Sequence, residues 1–383
     1  MIVQQLQQKY VALYHNKPLL IASPGRVNII GEHIDYNGGT VMPAAINKYI
    51  YLAIGLNNTN SINLYSQSYK EQISVLISDI KPTTNWATYI LGVVAEMQKL
   101  GLNITGFNAV IDGDIPIGAG LSSSAAVECA TAYALNNLFN LHLKTLQMVQ
   151  VAQAAEHNYA GVKCGIMDQY ASMFGKANQV INLNCDTLIS NYYPLQLGDY
   201  KIVLLNTNVS HNLASSAYNE RRQQCEQGLA WVNVKYTEVK TLADASLEML
   251  QQLVANQDAL VYKRCKYVIE EVARVKLAAM YLQQNNLIGI GQLMYSTHEG
   301  LSDAYEVSCP ELDFLIKTVK ANSSVLGARM MGGGFGGCTI NLVHNSVTEQ
   351  LYNTVSDAYL NYTGKQLSMY VANISDGTGI INA

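Results

Sequence analysis

FNAVIDGDIPIGAGLSSSAAVECATAYALNNLF, residues 107–139, reads as strand, glycine-rich loop and helix in one unbroken unit. Phe107 to Ile111 is a short apolar run closed by the turn pair Asp112-Gly113. From Ala125 to Phe139, apolar residues recur at helical period through Val127, Ala130, Ala134 and Leu138. Ser122 to Ser124 stand at the helix start, where hydroxyls can satisfy amides left free by the first turn. Gly118 and Gly120 let the backbone come close to a ligand, and a helix N-terminus favours an anion. A serine hydroxyl can also ligate Mg²⁺, a hard cation that prefers oxygen. Gly118, Ala119, Gly120, Leu121, Ser122, Ser123 and Ser124 are thus either a phosphate loop or a tight turn with a serine cap.

Before this unit, Leu19 to Ala22, Tyr49 to Gly55 and Ile73 to Ile77 read as strands, and Trp86 to Leu100 as a helix with Ile90, Val93, Val94 and Met97 on one face. After it, a helix is expected over about Lys144 to Tyr159. Composition shifts after Cys185, and Asn191 to Leu197 reads as a connector to a strand at Ile202 to Leu205. This puts a domain boundary near residue 190, with one domain at 1–190 and a second at 191–383. Helices follow around Tyr218 to Val232 and Val261 to Leu282. A late strand-turn-strand unit spans Ala328 to Met331, Gly332 to Gly337 and Cys338 to Val343. The Gln- and Asn-rich stretch 235–290 carries no motif and reads as helical scaffold. The mix of elements is α+β, without the regular alternation of a doubly wound parallel sheet.

The 383 residues are enough for two domains, and 49% hydrophobic content marks a globular chain. A net charge of −4 with no long basic run argues against a nucleic-acid partner. The first residues lack the apolar core of a signal peptide, and no run of about 18 apolar residues exists to span a membrane. Seven scattered cysteines with no CxxC pair read as free thiols in a reducing compartment. A cytoplasmic enzyme without a membrane partner is expected, and a monomer is preferred.

Three further segments carry chemistry. Ser23 to Gly39, SPGRVNIIGEHIDYNGG, crowds Glu32, His33 and Asp35 between two turns. Such a cluster could hold a metal, accept hydrogen bonds from sugar hydroxyls, or form a solvated turn. Glu156-His157 and Cys164 to Gln169 place Glu156 on a helix and Asp168 just past a loop. One of these carboxylates could hold Mg²⁺ while the other contacts a nucleophile. Alternatively, one caps a helix and the other is an exposed acid. Gly332, Gly334 and Gly337 match GxGxxG, but with no room for a downstream βαβ unit they read as a hairpin turn against which something packs closely. No Walker A pattern occurs.

Together these segments resemble the GHMP kinase superfamily, and within it the galactokinase family. Pro24 to Gly39 is similar to the signature PGRVNLIGEHTDYNGG, with Ile29 and Ile34 at its Leu and Thr positions. Ile115 to Ala126 resembles the phosphate loop P-x-G-x-G-L-S-S-S-A, and Leu326 to Thr339 the third, Gly-rich motif. His211 to Cys225 and His298 to Leu312 also resemble galactokinase segments. The resemblance implies a two-domain α+β fold with the active site in the interdomain cleft, galactose as substrate, ATP as co-substrate and Mg²⁺. It also implies that Glu32, His33 and Asp35 bind sugar hydroxyls, helped by Gly165 and Tyr218. Asp168 would face the anomeric hydroxyl with Arg26 beside it. Gly118 to Ser124 would wrap the phosphates, and Ser124 (or Ser123) with Glu156 would hold Mg²⁺. Trp86 and Tyr89 would line the adenine pocket.

Overall fold

The computed structural model describes residues 2–209 and 214–382. The chain opens with α1 (Ile2–Tyr14), then β1 (Leu19–Asn28), β2 (Thr40–Val41), β3 (Pro43–Leu56), β4 (Ser61–Ser66) and β5 (Glu71–Leu76). α2 (Thr88–Lys99) and β6 (Phe107–Gly113) lead into α3 (Ser123–Leu138), α4 (Thr145–Ala155) and α5 (Met167–Phe174). The hairpin β7 (Gln179–Asn184) and β8 (Ser190–Pro194) follows. The second half holds β9 (Tyr200–Asn206), α6 (Ala214–Asn233), α7 (Leu247–Leu253), α8 (Ala259–Gln283), α9 (Leu287–Glu299) and α10 (Pro310–Lys320). It ends with β10 (Val325–Met330), β11 (Cys338–His344), α11 (Thr348–Thr363), β12 (Ser368–Ala372) and β13 (Gly379–Ile380).

A six-stranded sheet, ordered β13-β1-β3-β6-β4-β5, is antiparallel except where β4 runs parallel to β6. Side chains alternate across its strands, as strand pleating requires. Leu20, Ala53 and Val110 meet Leu6 and Tyr10 of α1 on one face, while Ile21, Leu52, Ile54, Ala109 and Ile111 join the main core with α2 to α5 on the other. The Gln-rich N-terminal segment is therefore a helix covering a sheet face. β1 is longer than expected, and a bulge between Pro24 and Arg26 shifts its register. That bulge lies under the glycine loop: the Arg26 amide donates to the Leu121 carbonyl at 3.1 Å. A Cβ on Gly25 would meet the same oxygen at 2.6 Å.

A four-stranded antiparallel sheet, β10-β11-β9-β12, forms the second half. One of its faces packs on α10 and α11 through Val203, Leu205, Leu315, Val319, Val343 and Tyr359. Ile202, Leu204, Ile340 and Leu342 face the shared core. The whole is an α+β fold of two domains. Asn191 to Leu197 is mostly strand, with β8 pairing antiparallel to β7, so the segment expected as a connector is half of a hairpin. Its Asn191 and Pro194 masked a strand whose Tyr192 and Tyr193 pack against the core. A cut near residue 190 falls at the end of that hairpin's turn.

Candidate active site

Asp168 sits in the first turn of α5 and Arg26 on the β1 bulge. Arg26 donates through Nε to Asp168 Oδ1 (2.7 Å), through Nη2 to Oδ2 (2.8 Å) and through Nη1 to the Gly120 carbonyl (2.7 Å). Ser122 Oγ donates to the same Oδ2 at 2.5 Å. Burial alone would disfavour the Arg26 charge, but Asp168, Glu32 and Asp35 outweigh it and hold the guanidinium protonated. The serine cap expected at the helix start is not formed. Ser122 is left-handed (φ 58°) and makes no capping bond, because its hydroxyl is committed to Asp168. The first turn of α3 therefore keeps free amides.

A cavity of about 260 Å³ opens beside this pair, lined by Arg26, Glu32, His33, Asp35, Asp168 and Tyr218 among others. The cluster expected as a possible solvated turn is buried: Glu32 is 2% exposed, His33 3% and Asp35 9%. Glu32 Oε2 accepts from Arg329 Nη1 (2.8 Å) and the Gly332 amide (3.1 Å). Burial pushes Asp35 up to about 7, and the neighbouring Asp168 and Glu32 charges add to this. Gly165 presses on Asp35, since a Cβ there would lie 2.0 Å from Asp35 Oδ2. Burial likewise takes His33 down to about 4, so the ring is neutral near pH 7. Its Nε2 faces the Gly333 carbonyl at 3.2 Å and its Nδ1 the Tyr36 hydroxyl at 2.8 Å. Both ring nitrogens thus lie within hydrogen-bond distance of protein atoms. Tyr218 of α6 lies on His33 and Tyr36, with ring centroids 5.2 Å and 5.3 Å away.

A larger cavity of about 840 Å³ runs along the other side of α3. Trp86, Tyr89, Ser123 and Ser124 line it, joined by Tyr69, Glu71 and Asn85. Glu71 accepts from Trp86 Nε1 at 2.8 Å and fixes the indole. Gly118 and Gly120 take positive φ (73° and 71°), while Ala119 and Leu121 are buried and present only backbone. Ser124 Oγ donates to Glu156 Oε1 at 2.8 Å, and Gln169 Nε2 donates to Glu156 Oε2 at 2.6 Å. Burial raises Glu156 to about 7 against these hydrogen bonds. Ser124 lines the larger cavity and Glu156 the smaller, so their hydrogen bond spans the wall between the two.

Every expected site residue but Gly165 is therefore at one of two adjoining cavities or in the loop between them, and Gly165 lies behind Asp35 on a further cavity of about 270 Å³. The glycine turn 331–337 joins β10 to β11 and packs on the 118–124 loop, with a Cβ on Gly332 meeting the Gly120 carbonyl at 3.1 Å. The close-packing hairpin reading holds, because the turn leads straight into β11 and not into a helix. The expectation of no room for a βαβ unit is corrected: β11, α11 and β12 form one split by β9, to which both strands are antiparallel. Sequence reasoning missed Arg329, which is fully buried and donates to the Asn28 and Ile29 carbonyls as well as to Glu32. A lone arginine beside a glycine run was its only signal. It also missed Tyr36 within the signature segment, and Tyr267, Tyr305 and Glu271, which hold that segment from outside. Of the His211 to Cys225 stretch, residues 211–213 lie outside the described residues, and the remainder opens α6.

Three family models match the chain: a galactokinase galactose-binding signature over 8–56, the GHMP kinase N-terminal domain over 88–176 and the GHMP kinase C-terminal domain over 278–361. The galactokinase of Staphylococcus saprophyticus is 40% identical over 384 residues, covering 98% of this chain and 99% of that one. That of Thermosipho africanus is 40% identical over 357 residues, covering 93% and 98%. The crystal structure of Lactococcus lactis galactokinase complexed with galactose matches with a TM-score of 0.95 and 34% identity over 100% of both chains. Methanococcus jannaschii mevalonate kinase, at 19% identity and a TM-score of 0.65, shares the fold alone. With such relatives spanning nearly its whole length, and with their signature segments meeting at one pair of cavities, the chain belongs to the galactokinase family of GHMP kinases.

Proposed function

We propose that the chain transfers the γ-phosphate of ATP to the anomeric hydroxyl of galactose, giving galactose 1-phosphate and ADP. The observation that carries this is Asp168, clamped by Arg26 and Ser122 and lining the sugar-sized cavity next to the wall shared with the larger one. Residues 1–190 would supply the sugar signature and phosphate loop, and 191–383 the third glycine motif.

The larger cavity would take ATP, with adenine against Trp86 and Tyr89 and phosphates at the free amides of α3 and the 118–124 backbone. Galactose would sit between Glu32, Asp35 and Tyr218, its anomeric hydroxyl toward Asp168. Asp168 Oδ1 carries a single protein hydrogen bond, leaving a lone pair for that hydroxyl. As the sugar oxygen bonds to the γ-phosphorus, its proton passes toward Asp168, the bond to the β–γ bridging oxygen breaks, and ADP leaves. Charge on the transferring group would be met by Arg26 and the α3 amides, so catalysis is mainly positioning and electrostatics.

Ser124 and Glu156 would hold Mg²⁺. A hydroxyl and a carboxylate in contact suit a hard cation that takes its remaining ligands from phosphates and water. Bound there, the ion would neutralise phosphate charge. Among the described residues no group of three His, Cys, Asp or Glu could hold a metal, so the phosphates must complete the site. No helix among them is long and apolar enough to cross a membrane.

Coupled ADP release with MgATP across galactose, glucose, N-acetylgalactosamine, arabinose and no sugar tests the proposal. Turnover with galactose far above the others is expected. Turnover confined to another sugar would refute the substrate, and galactose binding without turnover would make the chain a sensor.

A further inference from the structure

The segment Gly31 to Tyr36 is held in a conformation it would not adopt alone. Gly31 has φ 95° and His33 φ 63°. A histidine in the left-handed region persists only when its surroundings over-determine it. Those surroundings come from the stretch that carried no motif in the sequence. Helix α8 reaches under the turn with two side chains. Glu271 Oε1 accepts from the Gly31 amide at 2.8 Å, and the Tyr267 hydroxyl donates to the Glu32 carbonyl at 2.9 Å. Both side chains are fully buried, and Glu271 is itself fixed by Arg274 Nε (2.5 Å) and Thr297 Oγ1 (2.9 Å to Oε2).

A second tie starts at Tyr305, just after α9. Gly333 offers His33 only a carbonyl, so Nε2 of the neutral ring carries the proton and Nδ1 accepts from the Tyr36 hydroxyl. The Tyr36 oxygen then accepts from Tyr305 (2.9 Å), which leaves the Tyr305 oxygen to accept from Cys225 (3.2 Å). The Tyr305 and Tyr267 rings pack at 4.7 Å between centroids, joining the two ties.

We infer that Tyr267 and Tyr305 are positioning residues for the sugar site, setting the placement of Glu32, His33 and Asp35 and hence the discrimination between galactose and its epimers. This rests on the galactose assignment above. Neither hydroxyl lines the sugar cavity, so each acts through the turn. An epimer is rejected when a polar group fixed in the site is left unpaired, and a turn free to adapt loses that rejection.

Tyr267→Phe and Tyr305→Phe each remove one oxygen and keep the ring packing. The expected result is a KM for galactose raised by about fivefold or more in each. The KM for ATP should stay within twofold, and the galactose-to-glucose ratio of kcat/KM should fall. Tyr295→Phe is the control: its hydroxyl bonds Val325 far from the site, and its constants should match the unaltered protein. If both KM values stay unchanged while kcat drops, the hydroxyls serve stability alone and the inference is overturned. It is equally overturned if all constants match the unaltered protein. Calorimetric titration with galactose, without nucleotide, reads the same shift as Kd. An unaltered protein that binds galactose without turning it over would sink the proposed reaction while leaving this inference measurable. One that does not bind galactose would sink both.

Discussion

Gly165→Ala should cripple galactose use while sparing ATP, and the structure sets the size of the effect. Gly165 has no left-handed backbone to protect, so the substitution acts through the added methyl alone. That Cβ would lie 2.0 Å from Asp35 Oδ2 and 2.4 Å from its Cγ. To reach ordinary contact at 3.4 Å the carboxylate oxygen must retreat by about 1.4 Å. It has somewhere to go, because Asp35 also borders a second cavity with Gln150, Gln153 and His157. A retreat of that size takes an accepted hydrogen bond from about 2.8 Å to beyond 3.6 Å, where it no longer counts as one. Losing a hydrogen bond to a charged group costs about 1.5–3 kcal/mol, which is roughly 10- to 150-fold in kcat/KM for galactose. Coupled ADP release over a range of galactose concentrations measures it, with the KM for ATP as internal reference. The sharper assay is the double variant. In Asp35→Ala the atoms that clash most are gone, so adding Gly165→Ala should cost little further. Unchanged kcat/KM in Gly165→Ala, or full additivity with Asp35→Ala, would show that Asp35 does not read the sugar.

Asp168→Asn should lower kcat by about 10²–10⁴-fold with ATP binding retained, since Asp168 does not line the larger cavity; near-normal kcat would remove it from the mechanism. Glu156→Gln keeps an acceptor for Ser124 but not the charge, so a Mg²⁺ titration should show the half-maximal concentration rising by about tenfold or more. The Asp35 carboxyl, raised to about 7 by burial, holds a proton in the folded protein that the unfolded chain has released above about 4. Asp35 therefore withdraws stability as pH rises from about 4 to 7, Glu156, also raised to about 7, adds to that loss, and His33, lowered to about 4, opposes it up to about 6.5. Thermal melts of Asp35→Asn should show a shallower slope in this window. Galactose affinity should rise over the upper part of the same window as Asp35 ionises, whereas His33, already neutral above about 4, adds nothing there.

The motifs near the reaction were legible because each obeys a local constraint. A loop that approaches phosphate needs Gly118 and Gly120 at positive φ, and a helix must begin where it ends. The carboxylates at Asp35, Glu156 and Asp168 stand out in a chain with only 14% charged residues. The roles of the serines were not legible. Ser122 and Ser124 look alike in sequence, yet one bonds Asp168 and the other Glu156, partners 46 and 32 residues away. Nor does anything local reveal that Tyr36 and Gly333 lie within hydrogen-bond distance of the two His33 nitrogens.

The sequence by itself determined the α+β class, the glycine loop that opens a helix and the set of polar residues that converge on the site, since propensity, periodicity and turn chemistry act over a few residues. Only the tertiary structure decided how those residues are held. Arg329 reaches Glu32 across 297 positions, and Glu271 reaches Gly31 across 240. A buried charge or an unpaired amide is tolerated only where such a distant partner satisfies it. No local pattern encodes which helix will bring that partner, because packing chooses it.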